Sequence, residues 1–133
     1  MYKLREKAII ITNNVLSKEG FEKTFDVVFV EGSLMDVMKT ARDYVHKGHR
    51  LLTHPLMGSI KPNETPFKTI AISEKTDSVV NFDSLSLMEN SIETSEKLLH
   101  NRSPRNWSKE MIDRVYEDYR VIDFDLIYNA FNI

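Results

Sequence analysis

Thirteen consecutive residues, His54 to Pro66, hold the side chains best suited to chemistry: His54, Ser59, Lys61, Asn63 and Glu64. Imidazole titrates near neutrality, so His54 is the candidate acid or base, with Glu31 or Glu64 to orient it. The plainer alternative is a loop histidine that only fixes backbone through a hydrogen bond. Ser59, Lys61 and Asn63 supply donors for a polar or anionic group. Stronger patterns are missing. Met57-Gly58-Ser59-Ile60-Lys61 lacks the second glycine of a nucleophile elbow. There is neither a glycine-rich phosphate loop nor a dinucleotide fingerprint, so the sequence points to no cofactor. His54 with a glutamate makes at most a sparse metal site, and no His-x-x-His or His-Glu-x-x-His spacing supports one. No metal is expected.

The elements around this stretch must position it. Three of the four prolines, Pro55, Pro62 and Pro66, stiffen the segment, while Leu56, Met57 and Ile60 call for burial. It therefore reads as an ordered functional loop rather than a disordered one. Upstream, Lys7 to Thr12 and Asp26 to Val30 are β-branched runs typical of buried strands. Between them, Val15 to Phe25 reads as a polar connection with at most a short helical turn before Gly20. Ser33 opens a helix, with Asp36 closing a capping box and Leu34, Val37, Met38, Ala41 and Val45 on one face. Gly48 ends it, and His49 to Thr53 is the next strand. Strand, helix and strand with tight joints predict a parallel βαβ unit. A fourth strand is expected over Phe67 to Ser73, followed by a polar turn at Glu74 to Ser78.

The second half is helical. One helix is expected from about Phe82 to Leu99, with a break at Asn101 to Asn106. A last, long helix starts at Ser108 and keeps helical spacing of apolar residues to the C-terminus. Its apolar stripe is wider than one face. It is expected to pack on the sheet and on the preceding helix, or else to make a homodimer contact. The fold expected is a single α/β domain over residues 1–133, in two or three layers. It has a small, mostly parallel sheet of about four strands, flanking helices and a long C-terminal helix.

In open α/β sheets ligands bind outside the carboxyl ends of the strands. Those ends here carry Thr12, Asn13 and Asn14, then Glu31, Gly32 and Ser33, then Thr53, His54 and Pro55, and last Ser73 and Glu74; the first three are rich in hydrogen-bonding groups. Thr12, Asn13, Asn14, Glu31, Gly32, Ser33 and Thr53, with Gly58, Ser59, Lys61, Asn63 and Glu64 from the loop, form the candidate ligand-binding set around His54. Ser33 has a second reading as a cap alone, and Glu31 would repel an anion bound close by. The basic segment His46 to Arg50 lies at the other end of its strand, about 16 Å from His54 at about 3.3 Å per residue. It is expected to be a solvated helix end unconnected with the site.

Composition narrows the function classes. The net charge is −2, with no basic run to track a nucleic-acid backbone, so nucleic acid is not an expected partner. The absence of cysteine excludes disulfides and thiolate chemistry. No segment approaches the ~20 apolar residues of a membrane span, and the charged N-terminus is unlike a signal peptide. A cytoplasmic protein is expected.

Four stretches resemble one protein family, GrdX: Ile11 to Asn14, Glu31 to Ser33, Val45 to His49 and, above all, Leu52 to Pro66. The resemblance covers roughly residues 8 to 73. It implies a small protein encoded beside the glycine, sarcosine and betaine reductase components of amino-acid-fermenting anaerobes. It brings no catalytic role with it. Three functions therefore stand open: an accessory protein that binds a reductase component or a small polar ligand, a small enzyme on a polar or anionic metabolite with His54 as acid/base, and a structural homodimer without ligand.

Overall fold

The strands grow from the β-branched runs and the helices from the capped, amphipathic segments. The computed structural model describes residues 7–58, 60–100 and 107–131. Its elements are β1 (Ala8–Thr12), α1 (Val15–Phe21), β2 (Asp26–Phe29), α2 (Leu34–His46), β3 (His49–Leu51), β4 (Thr69–Thr76), α3 (Phe82–His100) and α4 (Lys109–Ala130). Ser59 and the break expected at Asn101 to Asn106 lie outside the described residues.

The sheet is mixed rather than mostly parallel, in the order β2-β1-β4-β3. β1 and β2 are parallel, with Ile10 opposite Val27, whereas β4 runs antiparallel to both β1 and β3. β2 and β3 share a direction, as a βαβ unit requires, but they sit on opposite edges. The reason lies in the loop. A parallel return needs a crossover to the far end of the sheet, usually a helix. The proline-rich segment after β3 makes no helix and stays at the edge where β3 ends. The next strand must therefore start there and run back. β4 also continues through Glu74 and Lys75 to Thr76, where a turn was expected.

Three layers result. On one face α2 and α3 enclose Ile11, Val37, Met38, Ile70, Ile72 and Met88, all fully buried. On the other face α1 and α4 enclose Ile10, Phe21, Ala71, Ile127 and Phe131. The last helix thus packs on α1 and β4, across the sheet from α2 and α3, and the expected packing on the preceding helix is corrected. Its wide stripe serves this purpose. Phe124 lies against Phe21, with ring centroids 5.0 Å apart, and Phe131 lies 4.6 Å from Phe25.

α1 is a seven-residue helix that runs through Gly20 to Phe21, where a polar connection with at most a short helical turn before Gly20 was expected. Asn14 caps it by accepting from the Leu16 N–H. Seven residues make a marginal helix alone. Tertiary packing supplies the rest, because Gly20 lets the Phe124 ring approach the α1 backbone where a Cβ would collide with it. No helix among the described residues is long and apolar enough to cross a membrane.

Candidate functional site

β1, β2 and β3 all finish at one edge, where β4 begins: Thr12 faces both Phe29 and Thr69. Asn13, the next residue, braces this edge. Its amide donates to Gly32 O (3.1 Å) and Pro66 O (2.9 Å), and its Oδ1 accepts from Lys68 N–H (2.9 Å). One side chain thus joins the end of β1, the turn before α2 and the return of the loop. Ser33 completes the capping box: Asp36 N–H donates to its hydroxyl (3.1 Å), and its own N–H donates to Asp36 Oδ2 (2.9 Å). The backbone and hydroxyl bonds from Ser33 hold the Asp36 carboxyl below the usual range. The start of α2 is therefore already served by a carboxylate of its own, and Glu31 adds a second charge next to it.

The loop side of the rim is organised by its own backbone. Thr53 is buried, and its hydroxyl accepts from Ala71 N–H (3.0 Å). His54 is exposed, and its Nδ1 accepts from Leu56 N–H (3.0 Å). Lys61 and Glu64 close a turn, with Glu64 N–H donating to Lys61 O (2.9 Å) and Lys61 N–H to Glu64 Oε1 (3.3 Å). Asn63 Oδ1 is buried with no hydrogen-bond partner among the described residues. Gly58 takes a φ of +94° and lies against Leu126 of α4. Its Cβ would come within 2.7 Å of that side chain, so α4 receives the loop only at a glycine.

Beneath this rim lies a second, buried group. Asn14 is fully buried, and its amide donates to Arg120 O (2.9 Å) and to Asp123 Oδ2 (3.0 Å). Together with its cap bond to Leu16, all its polar capacity is spent tying α1 to α4. Thr69 Oγ1 lies within hydrogen-bond reach of three oxygens: Asp123 Oδ2 at 2.6 Å, Ser17 Oγ at 2.8 Å and Thr12 Oγ1 at 2.8 Å. A hydroxyl has a single proton to give. The short contact to Asp123 marks that carboxyl as the main partner. Lys68, one residue earlier, is 7% exposed. Burial pulls its amine below the usual lysine range, and the Asp123 charge opposes that shift. Burial pushes Asp123 above the usual carboxylate range, against the hydrogen bonds from Thr69 and Asn14 and the charge of Lys68.

Lys68 and Asp123 line one small cavity of about 20 Å³ between the loop and α4. Met57, Ile60, Tyr119 and Leu126 give it apolar walls. Phe67 closes this region toward solvent, packing edge-on against Tyr116 (centroids 5.9 Å apart) with the Arg120 guanidinium 4.8 Å from its ring centre.

The structure therefore gathers Thr12, Asn13, Gly32, Ser33, Thr53 and His54 along one edge. Of these, Thr12, Asn13, Ser33 and Thr53 have their hydrogen bonds committed to the scaffold. Lys68, Thr69 and Asp123 were not singled out from the sequence. Each leaves a trace there. Lys68 interrupts an apolar strand run, Phe67 to Ser73. Asp123 sits four residues from both Tyr119 and Ile127, inside the apolar stripe of α4. A charged residue at an apolar phase is the signal. On the other side of the molecule, His49 is buried with Nδ1 2.7 Å from Ser73 O, and Arg50 pairs with Asp77 at 3.6 Å. Among the described residues no group of acidic residues and histidines is arranged to hold a metal ion.

These features define a class: a three-layer α/β/α protein with a mixed four-stranded sheet, a braced polar rim at its strand ends and a small apolar-walled cavity beside it. The chain belongs to the GrdX-like protein family, whose model matches residues 9–132. The match takes in the helical half, where the four resembling stretches gave nothing. Comparison with curated proteins and with solved structures gives no match.

Proposed function

We propose that this chain is an accessory protein of the glycine/sarcosine/betaine reductase system, and that it acts by binding a reductase component or a small polar ligand at the strand-end rim. The observation that carries this reading is the bracing by Asn13, which fixes the ends of β1, the α2 turn and the loop in one rigid edge. Rigid scaffolds that present loops in this way are suited to recognition. Membership of the GrdX-like family supports the pathway. In this reading His54 is a positioning residue of the loop, since its Nδ1 is engaged by Leu56 N–H. The exposed Glu31, Lys61 and the outer edge of the His54 ring are the groups a partner meets.

Thermal-shift titration with glycine, sarcosine and betaine, together with size-exclusion chromatography against each purified reductase component, tests the proposal. A ligand or partner selective for the folded chain raises its melting temperature or co-elutes with it. Lys61→Ala is then expected to weaken that interaction about tenfold, equivalent to about 1.4 kcal/mol. His54→Gln keeps most of it, because an amide replaces a neutral imidazole hydrogen bond. No shift and no co-elution at saturating concentrations would overturn the reading.

A further inference from the structure

The reductase reading leaves the buried half of the edge unused. A lysine is almost never fully buried unless it is paired or functional. Lys68 is buried at the start of a central strand, its backbone fixed by Asn13 and Thr12. It shares an apolar-walled cavity with the Asp123 carboxyl, which Thr69 and Asn14 hold in place. An amine in such surroundings is a nucleophile, because losing its proton spares the cost of a desolvated charge. A neighbouring carboxyl in the same cavity is a proton donor and acceptor.

We propose that Lys68 is a covalent site for the one-carbon aldehyde, formaldehyde, held as an imine inside this cavity. The lone pair of Nζ attacks the carbonyl carbon. A C–N bond forms, the C=O π pair moves to oxygen, and a proton passes from nitrogen to that oxygen, giving a carbinolamine. The carboxylic acid form of Asp123 then protonates the hydroxyl. The C–O bond breaks, water leaves, and the nitrogen lone pair completes the C=N bond. The products are an iminium ion, the Asp123 carboxylate and one water. No oxidant or reductant is consumed. Burial moves the Lys68 amine down and the Asp123 carboxyl up, the directions that favour these reacting forms, while the charge of each group opposes the shift of the other.

Size and charge select the ligand class. A cavity of about 20 Å³ is about the size needed by one water molecule, so only the smallest carbonyl compounds fit. After condensation the oxygen is gone, and only a CH₂ unit remains against Met57, Ile60 and Leu126. Carbon dioxide would turn the same amine into an anionic carbamate, a buried charge with no cation to offset it. An iminium cation instead gains the Asp123 carboxylate as its counter-ion.

The test uses the native protein near neutral pH with formaldehyde and cyanoborohydride, which reduces each iminium to a stable methylamine. Peptide mass spectrometry then follows Lys68 against the exposed Lys61 and Lys75. Lys68 is expected to be modified at least about tenfold faster, as a desolvated amine beside a proton donor should be. Asp123→Asn is expected to slow Lys68 alone by about tenfold or more, the loss of a general acid. An aldehyde too large for the cavity, such as benzaldehyde, should lose the preference for Lys68. If Lys68 reacts no faster than Lys61 and Lys75, the proposal fails, and this comparison needs no variant. An unchanged Lys68 rate in a folded Asp123→Asn protein would also overturn it. None of these outcomes depends on reductase binding.

Discussion

The two faces of the sheet are built on different terms. Under α2 and α3 the interior is one large apolar cluster whose polar insertions are small, chiefly the buried serines Ser84, Ser91 and Ser95 of α3, and the polar groups at the helix start are satisfied by the Ser33–Asp36 box. Under α1 and α4 the apolar cluster of Phe21, Ala71, Ile127 and Phe131 stops short of the strand ends. Thr12, Asn14, Ser17, Lys68, Thr69 and Asp123 fill the remainder. Burial of apolar surface is the direct route to stability. A buried amine and carboxyl are weak evidence for stability, since apolar residues of similar volume often do as well or better. The first face holds the fold together. The second face gives up some of that cohesion and gains a reactive interior.

Truncations in the apolar parts should have the largest effects and should not tell the faces apart. Phe21→Ala is expected to cost about 3–5 kcal/mol and Met38→Ala about 2–5 kcal/mol in urea unfolding. Gly20→Ala separates them. Its methyl group meets the Phe124 ring, so an overpacking loss of about 1–3 kcal/mol is expected, with hydrogen exchange rising in α4 and unchanged in α2. Capping follows. Ser33→Ala removes one cap bond and should cost about 1 kcal/mol. Asn14→Ala should cost more, about 1–3 kcal/mol, because it also leaves Asp123 and Arg120 O short of a donor.

The smallest and most specific effect is one of pH. Burial raises the folded pKa of Asp123, so the folded protein holds that proton more tightly than the unfolded chain. The contribution to stability is complete below the unfolded carboxylate pKa and is lost as pH rises through the raised folded value. Lys68 works in the opposite sense in the alkaline range: its folded pKa is lowered, and stability recovers as pH climbs toward the unfolded lysine pKa. Urea midpoints across the weakly acidic range should therefore show a decline in the wild type that Asp123→Asn lacks. Parallel curves for the two proteins would mean that Asp123 titrates normally.

Legibility in the sequence follows the same division. α2 could be read residue by residue, because its cap and its apolar spacing are local and are confirmed by the Ser33–Asp36 bonds and by buried Leu34, Val37, Met38, Ala41 and Val45. The direction of β4 could not, since it depends on where a loop of fifteen or so residues comes to rest, which no local preference decides. The extent of α1 was missed because Gly20 and its charged neighbours weaken the local signal, and Phe124, more than a hundred residues on, restores it. The rim residues come together because β1, β2 and β3 keep one direction in the mixed sheet, whereas Ser73 and Glu74, expected at the same edge, lie at the opposite one because β4 runs back. Lys68 and Asp123 were hidden by context. A charged side chain in an apolar stripe reads as noise until a second one is found facing it across the fold.

The difference between the faces is tested most directly by replacing the buried amine and carboxyl with apolar residues, Lys68→Met together with Asp123→Leu. Asn14 keeps Arg120 O as an acceptor, and Thr69 can turn its proton to Ser17. One N–H of the buried Asn14 amide loses its acceptor, at a cost of about 1–2 kcal/mol. The account predicts a folded protein that loses no more than this in urea unfolding. A loss of about 3 kcal/mol or more, the cost of an ordinary core truncation, would show that the pair is structural after all and that the two faces are built alike.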